Sequence, residues 1–357
     1  MNKNQVTIEE LRTLIPTIAE TLTPVIQSEA GCGKTSLLKM IEQDLGDKYD
    51  YIYVDCPVKD MSDIAMTIPN HATKTLESYV GSLFKLKSDK PKIILLDEFM
   101  KAPKLLQVIF TRLMLERSVG DTPLPKGSMV FATSNNQSDG LGDGMLAHAG
   151  NRVCIMRMKK PDYKSWLQWA NNNAVSPLIR AWVHLTPKCL HSYLDTGSDN
   201  NPYIFNPKTS GQLSFVSPRS LEKASVIVDN KDTLSENAIR TALSGTIGES
   251  ACADMFAFLS LEKELPKFED ILANPMETLI PENLTAKLIL MFQAVDKLET
   301  QDELSSFMQY LSRITNKEMK AVFYTMLMTT DRGIELGKNN KEIRDFGLDN
   351  THLLGDE

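Results

Sequence analysis

The sequence predicts an α/β fold with a parallel sheet, followed by a largely helical second half. Up to about residue 160, short apolar segments alternate with helical patterns, which implies crossover connections between parallel strands. The segment from Ile93 to Leu96 is continuously apolar, as is typical of a strand buried on both faces. From Asp162 onward, apolar residues recur mainly at helical spacing.

Apolar periodicity and turn residues define most elements of the sheet region. Thr7 and Glu10 form a capping-box pattern at the start of the first helix. The segment 59–90 shows no pattern that favours one type of element, and the turn-rich segment 118–127 is expected to form a small hairpin or loop. The strands are predicted over 25–27, 51–55, 92–96, 128–133 and 153–158, and the helices over 7–20, 33–44 and 103–117.

The composition is that of an ordinary soluble globular protein. The chain has 357 residues, of which 42% are hydrophobic and 24% are charged, and this length allows two or three domains. Its formal net charge of −7 argues mildly against nonspecific nucleic-acid binding, which needs a cationic surface. A basic channel is still compatible with this whole-chain sum.

The cysteines and the apolar segments indicate the cellular compartment in which the protein is expected. The five cysteines lie far apart and form no C-x-x-C pair, which argues against a zinc site or a disulfide framework and favours a reducing compartment. The N-terminal segment lacks the apolar core of a signal peptide, and no apolar run is long enough to span a bilayer. We therefore expect a soluble, cytoplasmic protein without a membrane partner.

The segment from Val25 to Ser36 combines a short apolar strand, a turn of small residues and the start of a helix. Backbone N–H groups of such a turn, together with the positive end of the helix, form an anion site suited to a triphosphate. Lys34 can reach the β- and γ-phosphates, and the hydroxyl of Thr35 can bind Mg²⁺. A chance glycine-rich turn is the alternative. The predicted nucleotide-binding residues are Ser28, Glu29, Ala30, Gly31, Cys32, Gly33, Lys34, Thr35 and Ser36.

Two acids, Asp97 and Glu98, directly follow the apolar strand that ends at Leu96. They should therefore emerge at the carboxyl edge of the sheet, where ligands bind in open α/β sheets. Hydrolysis of a phosphoanhydride needs one carboxylate to hold Mg²⁺ and another to polarise the attacking water. Asp97 suits the first role and Glu98 the second. Adjacent acids on the protein surface are the alternative interpretation.

Three further polar residues are candidates for catalysis. Asn135 follows the next predicted strand, where its amide can bind water or the γ-phosphate, although asparagine also favours turns. Arg152 precedes the last predicted strand, and Arg219 lies in the first turn of a helix that Ser217 can cap. The planar guanidinium suits the charge of a phosphoryl-transfer transition state. A surface or structural arginine is the alternative for each.

The order of these segments resembles that of the AAA+ ATPases, and most closely their MoxR-like and dynein-related branch. The resemblance covers residues 5–235 and includes Ala102-Pro103 and Gln107 after the acids, the run 130–135, Asn151-Arg152 and Ser217-Pro218-Arg219-Ser220. It implies an AAA+ P-loop NTPase fold in which each candidate has a role. By resemblance, Lys34 and Thr35 correspond to Walker A, Asp97 and Glu98 to Walker B, Asn135 to sensor 1, Arg152 to the arginine finger and Arg219 to sensor 2.

The sequence departs from the family pattern in three places. Ser28 replaces the usual first glycine of the phosphate loop, which suggests a tightened or re-angled turn because serine lacks the freedom of glycine at positive φ. The segment 141–150 before Arg152 also differs, and the C-terminal part matches no recognised module. The resemblance implies an α/β ATPase domain over 1–160, a helical lid over 161–240 and a helical C-terminal extension over 241–357.

By resemblance, the reaction is Mg²⁺-dependent hydrolysis of ATP to ADP and phosphate. Such proteins work as homo-oligomeric rings, often hexamers, that remodel a protein client, and MoxR-like members commonly act with a partner bearing a von Willebrand A-type domain. A nucleic-acid motor or loader is one alternative, for which Lys85, Lys87, Lys90 and Lys92 near Phe84 form the one basic cluster beside an aromatic residue. We expect this cluster to be a solvated lysine face. A nucleotide-gated binding switch with negligible turnover is another alternative.

Overall fold

The computed structural model of the chain describes residues 5–136, 152–207 and 212–349. The chain divides into two units, Met1–Pro161 and Asp162–Glu357. Each unit has its own hydrophobic core.

A six-stranded parallel sheet forms the centre of the first unit. Its strands are β1 (Gln5–Val6), β2 (Thr23–Ser28), β3 (Asp50–Asp55), β6 (Lys92–Asp97), β9 (Met129–Asn135) and β10 (Val153–Met158). They lie side by side in the order β1-β10-β2-β9-β6-β3. Strand β2 lies between β10 and β9 in the sheet, so the segment that follows Ser28 emerges near its middle. All the strands predicted from the sequence are confirmed.

Helices cover both faces of this sheet. The helices are α1 (Ile8–Ile18), α2 (Ser36–Leu45), α3 (Met61–Ile64) and α4 (Lys104–Glu116). Side chains of α1 and α2 pack with Ile93 and Leu95 of β6, whereas α4 packs with Ile94 and Leu96. The continuous apolar run of β6 is therefore explained, because alternate side chains enter two different cores. The capping box of Thr7 and Glu10 is present at the start of α1.

The described residues of the first unit also include two small antiparallel hairpins. The first consists of β4 (Ala65–Asn70) and β5 (Thr75–Val80), and it occupies the segment that could not be assigned from the sequence. Its apolar side chains, such as Met66, Ile68 and Leu76, are exposed, so no alternation of buried and exposed positions marks these strands. The second hairpin, β7 (Ser118–Val119) with β8 (Thr122–Pro123), confirms the expected turn-rich hairpin.

In the described residues of the second unit, all regular elements are helical. The helices are α5 (Tyr163–Asn172), α6 (Pro177–Leu185), α7 (Pro218–Asp229), α8 (Glu236–Ile247), α9 (Glu249–Ser260), α10 (Phe268–Ala273), α11 (Leu284–Lys297), α12 (Gln301–Ser312), α13 (Lys317–Leu327), α14 (Asp331–Asn339) and α15 (Lys341–Asp349). One hydrophobic core includes residues from Trp166 to Ile343. The division of this unit near residue 240 stays a prediction. None of the described helices is both long and apolar enough to cross a membrane.

Candidate nucleotide-binding site

The phosphate loop connects the last residue of β2, Ser28, to the first residue of α2, Ser36. Gly31 and Gly33 have φ values of 76° and 89°, in the left-handed region that glycine adopts without strain. Residues 33–35 form a turn in which the N–H of Ser36 donates to the carbonyl of Gly33 at 3.0 Å. The regular helix therefore begins at Ser36, three residues later than expected. Within the loop, Ala30 is partly exposed, and Cys32 is buried in the core that packs α1 and α2.

Ser28 takes the place of the usual first glycine without any strain of the backbone. It is an ordinary strand residue paired with Asn135, and its φ is not positive. Its hydroxyl donates to the carbonyl of Glu29 at 3.0 Å and accepts from Nζ of Lys34 at 3.1 Å. The expected tightening of the turn is therefore not needed, because the left-handed positions lie later in the loop.

The ammonium group of Lys34 lies inside the loop and is bound by oxygen atoms on two strands. Nζ donates to the carbonyls of Ser28 at 3.1 Å and Glu29 at 3.0 Å, and to Oδ1 of Asn135 at 2.8 Å. Lys34 and Asn135 are both buried. The structure thus brings the predicted Walker A lysine and the predicted sensor 1 amide into direct contact.

The structure also brings together Thr35 and Asp97, the two residues expected to hold Mg²⁺. The hydroxyl of Thr35 donates to Oδ2 of Asp97 at 2.9 Å. The other carboxylate oxygen, Oδ1, accepts from the hydroxyl of Thr133 and from the backbone N–H of Glu98. A hydroxyl and a carboxylate side by side are hard oxygen donors, which fit Mg²⁺. These two residues would hold the metal.

Tyr53 is a part of this cluster that sequence reasoning missed. Its hydroxyl donates to Oδ2 of Asp97 at 3.0 Å, so one carboxylate oxygen accepts from both Tyr53 and Thr35. Burial of the phenol and the negative charge of Asp97 raise the pKa of Tyr53 far above its ordinary value, so its hydroxyl stays a donor. Strand β3 lies beside β6 in the sheet, and only this pairing reveals the contact.

Glu98 leaves the strand through a left-handed turn, with φ 51° and ψ 36°. For a residue other than glycine this conformation costs about 1 kcal/mol. Two hydrogen bonds of its N–H offset that cost, to Oδ1 of Asp97 and to the hydroxyl of Thr133, both at 3.2 Å. Its carboxylate is partly exposed and pairs with Lys101 at 2.7 Å. Such a pair in contact with solvent is weak, so Glu98 can leave Lys101 to bind water.

The structure does not bring Arg152 to the phosphate loop of its own chain. Arg152 is exposed and precedes Val153, which pairs with Thr23 at the amino end of β2. The phosphate loop follows Ser28 at the opposite end of the same strand. At ~3.3 Å per residue, about 16 Å along the strand direction separate the two ends, beyond the length of an arginine side chain.

Arg219 belongs to the second unit, where it occupies the first turn of α7. Ser217 caps this helix in a capping box with Ser220, and Pro218 occupies the first helical position, as predicted. Arg219 is exposed. Its role as sensor 2 stays a prediction. Arg117, another arginine in the first unit, is a structural residue, because it donates to the hydroxyl of Thr23 at 2.8 Å and to the carbonyl of Ala19 at 2.9 Å.

A buried ion pair beside the loop also escaped sequence reasoning. Nζ of Lys160 lies 3.7 Å from Oε2 of Glu29, and their side chains are only 5% and 8% exposed. Lys160 follows β10, the neighbour of β2 in the sheet. Nothing in the sequence around Lys160 marks it as a partner of the phosphate loop, because the two residues meet only through the strand pairing.

The basic cluster near Phe84 is not a surface for stacking bases. Phe84 is fully buried in the core between the sheet and α4. Lys92 is also fully buried and pairs with Asp50 at 2.6 Å. Nζ of Lys85 and Nζ of Lys90 donate to backbone carbonyls at 3.3 Å and 3.0 Å. The buried Lys92 corrects the expectation that this cluster forms a solvated lysine face.

Comparison with known protein families finds a match to the part of the chain that contains this site. Residues 24–119, which include the phosphate loop, Asp97 and Glu98, match the family model described as the viral superfamily 1 RNA helicase core domain. No curated protein sequence matches the chain.

Several solved structures are similar to this chain at low identity. RuvB of Thermotoga maritima, a Holliday junction branch migration motor, is 14% identical with a TM-score of 0.36, over 76% of this chain and 75% of that chain. Hsp104 with ATPγS and casein is 18% identical with a TM-score of 0.35, over 44% of this chain and 32% of that chain. A candidate ATPase from Cytophaga hutchinsonii is 16% identical with a TM-score of 0.34, over 90% and 89%.

The sheet order and the loop geometry themselves define the fold class. A parallel sheet carries the phosphate loop after β2 and a carboxylate at the end of β6, and helices follow in the second unit. The α/β fold with a phosphate loop and helical regions, implied by the resemblance to AAA+ ATPases, is confirmed.

Proposed function

We propose that this chain is an ATPase of the AAA+ type that hydrolyses ATP to ADP and phosphate with Mg²⁺. The observation that carries the proposal is the convergence of two pairs at one edge of the sheet. Lys34 contacts Asn135 at 2.8 Å, and Thr35 contacts Asp97 at 2.9 Å. A cation, an amide, a hydroxyl and a carboxylate therefore surround a loop whose backbone can bind phosphate.

The residues of the site have distinct roles in the proposed reaction. Lys34 gives up some of its hydrogen bonds to protein oxygen atoms and binds the β- and γ-phosphates. Asn135 then orients the attacking water or the γ-phosphate. Thr35 and Asp97 would hold Mg²⁺, which would neutralise charge on the phosphates. Glu98 accepts a hydrogen bond from the attacking water and so increases its nucleophilicity.

The finer part of the proposal follows from the MoxR-like resemblance. It places the chain in a homo-oligomeric ring, with a hexamer as the expected size, that remodels or activates a protein client. The client class includes proteins with a von Willebrand A-type domain. In the ring, Arg152 of one subunit completes the site of its neighbour, and Arg219 contacts the nucleotide from the helical region. The five cysteines, none of which forms a disulfide, fit a cytoplasmic location.

ATP binding is the first test of the proposal. Lys34→Ala should abolish detectable binding, because it removes the cation that lies inside the phosphate loop. Lys39→Ala is the matched control, since Lys39 lies on the exposed side of the following helix α2 and should leave binding unchanged. Equal affinity of the two variants would contradict the phosphate-loop assignment.

A Glu98→Gln variant identifies what the protein acts on. The amide cannot accept the proton of water as a carboxylate does, so this variant should bind ATP yet hydrolyse it slowly. We expect its ATP-bound form to retain a protein client in a pull-down that the wild-type protein loses on turnover. A wild-type protein that binds ATP without measurable turnover would instead support a nucleotide-gated switch.

A nucleic-acid motor is the second candidate function, because residues 24–119 match an RNA helicase core model. The burial of Phe84 and Lys92 argues against the basic cluster as its binding surface. Stimulation of ATP hydrolysis by RNA or DNA separates the two functions. Stimulation that falls steeply with salt would favour the motor, whereas stimulation only by a protein client would favour the remodeller.

A further inference from the structure

The phosphate loop contains one carboxylate, that of Glu29, in a site proposed to bind polyphosphate. Glu29 is the first residue after β2, and its backbone carbonyl accepts a hydrogen bond from Nζ of Lys34 at 3.0 Å. The residue that carries the carboxylate thus touches the cation of the site. A negative charge on a residue of the loop repels a bound triphosphate, and burial strengthens the repulsion because the local dielectric is low.

Lys160 lies where it can cancel this charge. Its Nζ is 3.7 Å from Oε2 of Glu29, and both side chains are almost completely buried. The backbone on either side of the pair is fixed by the sheet, since Arg157 pairs with Gln27 and the N–H of Lys159 donates to the carbonyl of Val6 at 2.8 Å. Lys160 is therefore held at the carboxyl edge, beside the start of the loop.

We propose, on the basis of the proposed nucleotide site, that Lys160 is a positioning residue that sets the affinity of the loop for ATP. Lys160 holds the carboxylate of Glu29 in place and neutralises it, so that the loop presents a positive field to the phosphates. The affinity for ATP then depends on the net charge of the Glu29–Lys160 pair. Two variants that both break the ion pair should therefore differ in affinity when they leave opposite net charges.

A double-mutant cycle on the full-length protein tests this dependence, with ATP affinity measured by titration calorimetry. Lys160→Met leaves a net negative pair and should weaken ATP binding about tenfold or more. Glu29→Gln leaves a net positive pair and should tighten binding. The double variant, Glu29→Gln with Lys160→Met, restores a neutral pair and should return the affinity close to that of the wild-type protein. ADP carries less negative charge than ATP, so the variants should rank in the same order of affinity for ADP but differ from one another by less.

Two further variants separate charge from structure. Lys160→Arg keeps the cation and should keep most of the affinity. Lys159→Met removes the same charge from the neighbouring exposed lysine and should have little effect. Thermal unfolding of every variant shows which of them fold, and both single variants that break the pair should lower the melting temperature.

The sign of the Glu29→Gln effect decides the proposal. If Glu29→Gln weakens ATP binding as Lys160→Met does, the affinity follows the melting temperature and the pair is only structural. If the double variant stays as weak as Lys160→Met, the charge of Glu29 is not what Lys160 cancels, and the proposal is overturned. A wild-type protein that binds no ATP would overturn the proposed function itself, whereas wild-type binding with the wrong order of variants overturns only the role of Lys160.

Discussion

Nζ of Lys34 lies 2.8 Å from Oδ1 of Asn135, a residue 101 positions further along the chain. The contact joins β9 to the turn that precedes α2, because Ser28 and Asn135 are register partners at the ends of adjacent strands. The lysine that is expected to bind phosphate is thus already bound by an amide, a hydroxyl and two carbonyls. A phosphate that binds Lys34 must compete with these neutral acceptors, which a charged oxygen does readily.

Asn135→Ala should slow ATP hydrolysis by about tenfold or more while changing ATP affinity little, because the amide orients the reacting groups and Lys34 keeps its other acceptors. Asn135→Asp should instead weaken ATP binding, since a carboxylate pairs with Lys34 and repels the phosphates. Turnover and calorimetric affinity distinguish the two variants. Asn70→Ala on the distant β4–β5 hairpin is the control. Full-rate hydrolysis by Asn135→Ala would leave Asn135 with a structural role only.

Tyr53→Phe should raise the Mg²⁺ concentration needed for half-maximal hydrolysis several-fold, because Asp97 loses a hydrogen bond that orients it. Second-sphere partners of a metal ligand typically contribute ~10-fold to metal affinity. ATP affinity measured without Mg²⁺ should not change, whereas affinity with Mg²⁺ should fall. Tyr51→Phe is a matched control on the same strand, since its hydroxyl donates to the carbonyl of Gly46 away from Asp97. Identical Mg²⁺ dependence in both variants would exclude a role for Tyr53.

The sheet and its main site residues were predictable because local patterns encode them. The apolar run of β6 reflects burial on both faces, and residues that follow parallel strands necessarily meet at one edge. This logic placed Thr35, Lys34, Asp97 and Asn135 at one edge of the sheet. The structure brings Asp97 into contact with Thr35 and Asn135 into contact with Lys34, and the roles of these residues stay predictions. For Arg152 the sequence indicates only that a strand follows it. Its proposed contact with the nucleotide of a neighbouring subunit therefore stays a prediction.

What escaped prediction depends on the lateral order of strands, which no local pattern encodes. Tyr53 reaches Asp97 because β3 pairs with β6, and Lys160 reaches Glu29 because β10 pairs with β2. The β4–β5 hairpin was missed for a different reason. Its apolar side chains are exposed on a two-stranded ribbon, so they lack the periodicity that burial on one face imposes.

Asp50→Asn should lower the free energy of unfolding by about 3 kcal/mol, because it leaves the fully buried ammonium of Lys92 without its counter-charge. The hydrogen bond from Lys92 holds the pKa of Asp50 below its ordinary value of 3.8. A depressed pKa stabilises the fold above the unfolded-state pKa, and that contribution is lost as the pH falls through the folded-state pKa. The difference between wild type and variant should therefore be full near about pH 6 and shrink towards about pH 3.

Denaturant unfolding at both pH values measures this difference. Glu116→Gln, which breaks the exposed pair with Arg112, is the control and should cost less than about 1 kcal/mol. A difference between wild type and Asp50→Asn that stays constant with pH would show that the carboxylate does not titrate as part of this pair.

Substitution of Arg152 tests both the assembly of subunits and the catalytic role of this arginine. It lies at the amino edge of the sheet, opposite the phosphate loop of its own chain, so any catalytic role requires a second subunit. An arginine that contacts the γ-phosphate in trans is worth ~10³-fold or more in rate in related phosphoryl-transfer enzymes. Arg152→Ala should therefore keep ATP binding and lose most turnover. Arg157→Ala, which removes an exposed arginine of β10, is the control for a general loss of charge.

Mixing variants shows whether the site is shared. Arg152→Ala subunits have an intact Lys34, and Lys34→Ala subunits have an intact Arg152, so a mixture should recover part of the activity that each variant lacks alone. Specific activity of the wild-type protein should also rise with its concentration as subunits associate. Normal hydrolysis by Arg152→Ala together with loss in Arg219→Ala would move the finger role to Arg219. If mixtures recover nothing and the rate per subunit is independent of concentration, the site is complete within one chain, and the ring model fails.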